Sequence, residues 1–131
     1  MSKRILVTAS MFGATAVILG AFGAHGLKNL IDQNALEIWA KAVEYQFYHT
    51  FALLFLYFFD KVEKSKAVKW AYVFFTFGIL LFSGSLYLLA TRSISNIGFV
   101  NYIGPITPFG GLMFICGWLS IFIAALKKEH A

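Results

Sequence analysis

From Ile5 to Ala24 no side chain carries a charge, and the same holds from Trp70 to Ala90 and from Ile106 to Leu126. Each run is about the length an α-helix needs to cross a bilayer, roughly 20 residues. Backbone immersed in hydrocarbon must satisfy its own hydrogen bonds, and uninterrupted apolar runs of this length do so as helices. The composition points the same way. Hydrophobic residues make up 60% of the 131 and charged residues 13%, against about 45–50% and about 25% in soluble domains. A domain of this size leaves about a third of its unfolded surface exposed, and its 11 basic and 6 acidic side chains are too few to cover that. A soluble enzyme, a disordered chain and a nucleic-acid-binding domain are excluded.

A further helix is expected between the first two runs, from about Asn34 to Phe59. Its first half is amphipathic, with Leu36, Trp39, Val43 and Phe47 on one stripe and Glu37, Lys41 and Glu44 on another. Its second half is almost wholly apolar. The expected fold is an all-α integral membrane four-helix bundle, with an amphipathic interfacial start to helix two. It forms a single transmembrane domain, 1–131, with spans at about 5–24, 43–59, 70–90 and 106–126. The basic start of the chain and its first apolar run could mimic a secretory signal, but the run exceeds the 7–15 residues of a signal core and reads as a retained span. The single cysteine, Cys116, excludes an intramolecular disulfide and any multi-cysteine metal site.

Charge placement sets the expected orientation. With four spans, Lys3, Arg4, Lys61, Lys64, Lys66, Lys69, Lys127 and Lys128 share one side, and only Lys28, Lys41 and Arg92 lie on the other. Lys and Arg accumulate in cytoplasmic loops, so both termini are expected in the cytoplasm and the 92–104 loop outside. The same basic residues would attract anionic headgroups, making membrane lipid the first expected partner.

Small residues on the first helix, Ala9, Gly13, Ala16, Gly20 and Gly23, recur at three- and four-residue spacing. They form a stripe of the kind that lets membrane helices approach closely, or else a contact surface for a ligand or another protomer. Four motifs stand in order along the chain: Gly20-Ala-Phe-Gly-Ala-His-Gly-Leu27, Tyr45-Gln-Phe-Tyr-His49, Phe82-Ser-Gly-Ser-Leu-Tyr87, and Ile106-Thr-Pro-Phe-Gly-Gly111 with Gly117-Trp118 beyond it. Together they resemble the YgdD-like family of small bacterial inner-membrane proteins, which has a eukaryotic transmembrane relative. The resemblance spans essentially the whole chain. It implies a multi-pass protein of the bacterial cytoplasmic membrane and carries over no catalytic residue.

An ionisable group inside a span is a functional candidate by default. His25, Gln46, His49, Ser83 and Tyr87 are expected to share the outer half of the bundle as a polar cluster. It would serve either as interhelical glue or as the floor of a binding pocket, and Glu44 is a candidate proton acceptor beside it. No metal site or cofactor is expected: the two histidines sit at different depths and no acid joins them. No nucleophile–base–orienter set is recognisable, so no enzymatic activity is expected. The favoured role is an accessory protein that binds lipid or a membrane-protein partner, or assembles with itself. The alternatives are a small oligomeric transporter, proton-coupled through His49 or Glu44, and an intramembrane enzyme acting on lipid.

Overall fold

Helix boundaries follow capping residues more closely than hydropathy. In the computed structural model, four long helices run from Ser2–His25 (α1), Gln33–Val62 (α2), Lys66–Ala90 (α3) and Ile106–Glu129 (α4). The structure describes residues 1–129, apart from the side chains of Lys128 and Glu129. The charge placement read for those two positions, and the domain boundary at 131, lie outside the described residues. The Asp32 side chain accepts from the Ala35 N–H at 2.8 Å and opens α2, and Ser65 accepts from Val68 N–H at 3.3 Å and opens α3. Such caps satisfy amide groups that have no partner within the helix. They explain why α3 begins at Lys66 rather than at the apolar edge, Trp70. Pro105 immediately precedes α4 and Pro108 lies in its first turn, where a missing N–H costs nothing.

The 92–104 segment, expected as a loop, contains a single helical turn, Arg92–Ser95, and a 3-10 turn, Gly98–Tyr102. Asn96, left-handed at φ 54°, separates them. Val100 and Ile103 of this segment are buried and hold it to the bundle, while Phe99 and Tyr102 are exposed.

α2 and α3 form the centre of the bundle, with α1 and α4 on the flanks. α1 packs along α2 through the small-residue stripe: Gly13 faces Thr50, Gly20 faces Val43 and Gly23 faces the Trp39 indole. The packing-seam reading of that stripe therefore holds. α1 also reaches α3, where the Thr8 and Tyr72 hydroxyls lie 2.7 Å apart. The shared core contains Ile5, Ala9, Leu53, Leu56, Val68, Phe75 and Phe114.

α3 is not uniform. Between Lys66–Gly78 and Gly84–Ala90 it widens into a π segment, Ile79–Ser83. The part before the widening lies mainly against α4, and the part after it mainly against α2. At this changeover the backbones of α3 and α4 nearly touch: a Cβ on Gly110 would overlap the Phe82 amide nitrogen.

Three helices, α1, α3 and α4, are long and apolar enough to cross a membrane. α2 is not among them, because it carries Gln46, His49, Thr50 and Asp60. All four of these side chains are buried against neighbouring helices. The faces turned away from the bundle are apolar: Met11, Val17 and Ile18 on α1, Phe55 and Phe58 on α2, and Leu119 and Phe122 on α4 are exposed.

Candidate functional site: a polar seam and a lateral aromatic groove

The polar residues expected to form one cluster divide into two structures. The first is a seam along α2 whose centre is Gln46. Its amide nitrogen donates to the Phe12 carbonyl and to Thr15 Oγ1, both at 2.8 Å, and its Oε1 accepts from the Tyr87 hydroxyl at 2.7 Å. One buried side chain thus ties α1, α2 and α3 together. One turn earlier on α2, Ser83 donates to the Ala42 carbonyl at 2.7 Å. Ser83 and Tyr87 on α3 therefore make two successive rungs to Ala42 and Gln46 on α2. Gln46 and Ser83 are 3% and 0% exposed, which makes the seam dry. Ser85, near Ser83 in sequence, turns instead to α4 and shares a hydrogen bond with Thr107.

The second structure is built on His49, three residues along α2 and facing α4. Its Nδ1 lies 2.7 Å from the Tyr45 carbonyl, and the Trp118 indole N–H donates to its Nε2 at 3.2 Å. A carbonyl can only accept and an indole N–H can only donate. The ring therefore carries its hydrogen on Nδ1 and presents a bare Nε2. It stacks on Phe114 with centroids 3.5 Å apart and planes 6° apart. Beside this pair a groove of about 740 Å³ opens sideways between α2 and α4. Tyr45, Tyr48, His49, Pro108, Leu112 and Trp118 line it, and no Lys, Arg, Asp or Glu does.

His25 joins neither structure. It is exposed at the last turn of α1. Glu44 is also outside both. It is exposed, lies 3.5 Å from Lys41, and borders a second groove of about 410 Å³ between α1 and α2 with Lys28, Gly20, Gly23 and Trp39. The Trp39 indole donates to the Leu19 carbonyl at 2.8 Å, which closes the floor of that groove.

Three participants were not anticipated. Thr15 and Trp118 complete the hydrogen bonding of Gln46 and His49, and Asp60 is buried at 2% exposure, accepting from the Ser2 hydroxyl at 2.6 Å. Trp118 sits four residues after Phe114, as His49 sits four after Tyr45, so a matched pair of aromatic ladders was visible in the spacing. Asp60 was grouped with the solvated connector charges that follow it, and nothing in its neighbourhood in sequence marks it as different.

A family model described as "Protein of unknown function (DUF423)" matches residues 19–111. A UPF0382 membrane protein of Staphylococcus epidermidis is 42% identical, covering 95% of this chain and 97% of its own length. The UPF0382 membrane protein YwdK of Bacillus subtilis is 40% identical over 95% of this chain and 98% of its own, and a UPF0382 membrane protein of Haemophilus influenzae is 36% identical over 98% of each. No solved structure matches. With matches that run through the polar seam and the α2–α4 groove, the chain belongs to the DUF423 family, whose members in these bacteria are UPF0382 membrane proteins.

Proposed function

We propose that this is a four-span protein of the bacterial cytoplasmic membrane that binds an amphipathic, lipid-phase molecule in the groove between α2 and α4. The observation that carries this reading is the groove itself. Its volume falls within the range of about 300–1,000 Å³ typical of small-molecule sites, and it is apolar except for the His49–Trp118 pair and the tyrosine hydroxyls. It opens sideways, toward the apolar exterior of the bundle, rather than along the helix axes.

Burial of its polar groups supports α2 as a fourth span, because its outward face at this depth is Phe51, Phe55 and Phe58. The orientation rests on the distribution of basic residues. The Ser2–Asp60 bond ties the start of α1 to the end of α2, and Met1, Asp60, Lys64, Lys66 and Lys69 border one cavity at that end. This gathers the basic residues at one end and supports a cytoplasmic N-terminus. The resemblance to YgdD-like inner-membrane proteins fits the same location.

Binding is favoured over proton-coupled transport because both His49 nitrogens are engaged, Glu44 faces outward beside Lys41, and the Gln46 seam is saturated and dry. An accessory role, with lipid or a membrane protein as partner, fits this picture better than lipid-modifying catalysis, since no nucleophile lines the groove.

Native mass spectrometry of protein released from mild detergent tests the reading. Leu112 lines the groove and is 55% exposed, so Leu112→Trp fills the groove without disturbing the core. The expected result is a retained lipid-phase adduct on the unmodified protein that Leu112→Trp loses. An identical adduct pattern in both would overturn it.

A further inference from the structure

The donor–acceptor pattern at the back of the α2–α4 groove narrows the class of ligand, on the reading that the groove is a binding site. We infer that the site takes an uncharged lipid whose polar end is a free hydroxyl, held between the Trp118 indole N–H and His49 Nε2.

The Tyr45 carbonyl fixes the hydrogen of His49 on Nδ1, so Nε2 is obliged to accept. In the absence of a ligand that acceptor takes the Trp118 N–H at 3.2 Å, longer than the usual 2.9–3.0 Å of an N–H donor. Little is therefore lost when the two part. A single oxygen bearing a hydrogen satisfies both at once: it accepts from the indole and donates to the imidazole. A ketone, ester or ether oxygen satisfies only the indole and leaves the buried Nε2 bare. His49 is 4% exposed, so no water replaces the lost donor cheaply. An ammonium group would donate to His49 but offers the indole nothing. A phosphate would enter a groove that no basic side chain lines. Trp118 is half exposed at the groove wall, where it can swing without disturbing the stacked His49–Phe114 pair. Leu112 and Ile115 continue the groove as an apolar wall for the body of the lipid.

The test uses the full chain in phosphatidylcholine vesicles, with Trp70→Phe to remove the other exposed tryptophan. Trp39, buried between α1 and α2, supplies a constant background. The probes are 1,2-diacylglycerol with brominated chains, its 3-O-methyl ether, and brominated phosphatidylcholine, each titrated by mole fraction against Trp118 fluorescence. The alcohol is expected to reach half-maximal quenching at about tenfold lower mole fraction than the ether, which corresponds to one missing hydrogen bond to a buried acceptor. His49→Phe, which keeps an aromatic ring on Phe114, is expected to abolish the preference. If alcohol and ether quench alike and both exceed brominated phosphatidylcholine, the hydroxyl assignment is overturned while the groove survives as a lipid site. If neither exceeds brominated phosphatidylcholine, the groove reading itself falls. A preference that persists in His49→Phe also overturns the assignment. Should that variant fail to fold, the alcohol–ether comparison with His49 intact decides alone.

Discussion

Gln46 carries more structural responsibility than any other polar side chain in the bundle, because three helices meet on its amide. Interhelical hydrogen bonds in membranes average about 0.6 kcal/mol each. Gln46→Leu removes three and is expected to cost about 2 kcal/mol, measured by detergent-induced unfolding. Tyr87→Phe removes one and is expected to cost about 0.6 kcal/mol. If the two variants unfold at the same point, the hub description is wrong. Gln46, Ser83 and Tyr87 were legible in the sequence because helical spacing gives both depth and face: Ser83 and Tyr87 are four apart, and so are Ala42 and Gln46 opposite them. His25 was misplaced because it sits at the very end of α1, where being close to the bundle end in sequence does not mean facing its interior. Trp118 went unassigned for a related reason. In an aromatic-rich membrane chain a tryptophan is most simply lipid-facing, and only the observed partner, His49 on another helix, distinguishes this one.

At the scale of elements, glycines mark where helices meet. Gly110→Ala places a methyl group against the Phe82 backbone, which cannot rotate away as a side chain would. The expected cost is about 1–3 kcal/mol, as for other overpacked cores. Gly84→Ala meets open space and gains helix propensity of up to about 1 kcal/mol. Opposite signs in the same detergent titration would support the close α3–α4 crossing. Two destabilised variants would argue against it. Ser65→Ala removes the cap of α3 and is expected to cost about 1 kcal/mol, with no effect at the distant groove. The three charge-free helices were legible from length and hydropathy alone. The start of α3 was not, because a cap extends a helix beyond its apolar run. The inner course of α2 was obscured for the opposite reason, since its polar residues lower its hydropathy although the fold buries them.

For the whole molecule, the disposition in the membrane is open to direct measurement. In a Cys116→Ala background, Asn96→Cys is expected to react with a membrane-impermeant maleimide on intact spheroplasts, and Lys64→Cys only after permeabilisation. The reverse pattern would invert the proposed topology. Charge counting suggested this orientation without any structure, since topogenic charges act through their position in sequence. The diamond arrangement, with α2 and α3 central, was not legible, because every helix has apolar residues enough to be either inside or outside.

The widened turn at Ile79–Ser83 has one more consequence. A π segment accommodates one residue more than an unbroken α-helix over the same path, and each residue advances an α-helix by about 100°. Deleting Leu81 would restore ordinary α geometry, yet it would rotate everything from Gly84 onward by a quarter-turn or more. Tyr87 would then point away from Gln46, although every side chain of the seam was still present. The chain is thus far more tolerant of spelling changes in this stretch than of a change in its count, and a one-letter frame error in mid-span would dissolve a contact that no substitution had touched.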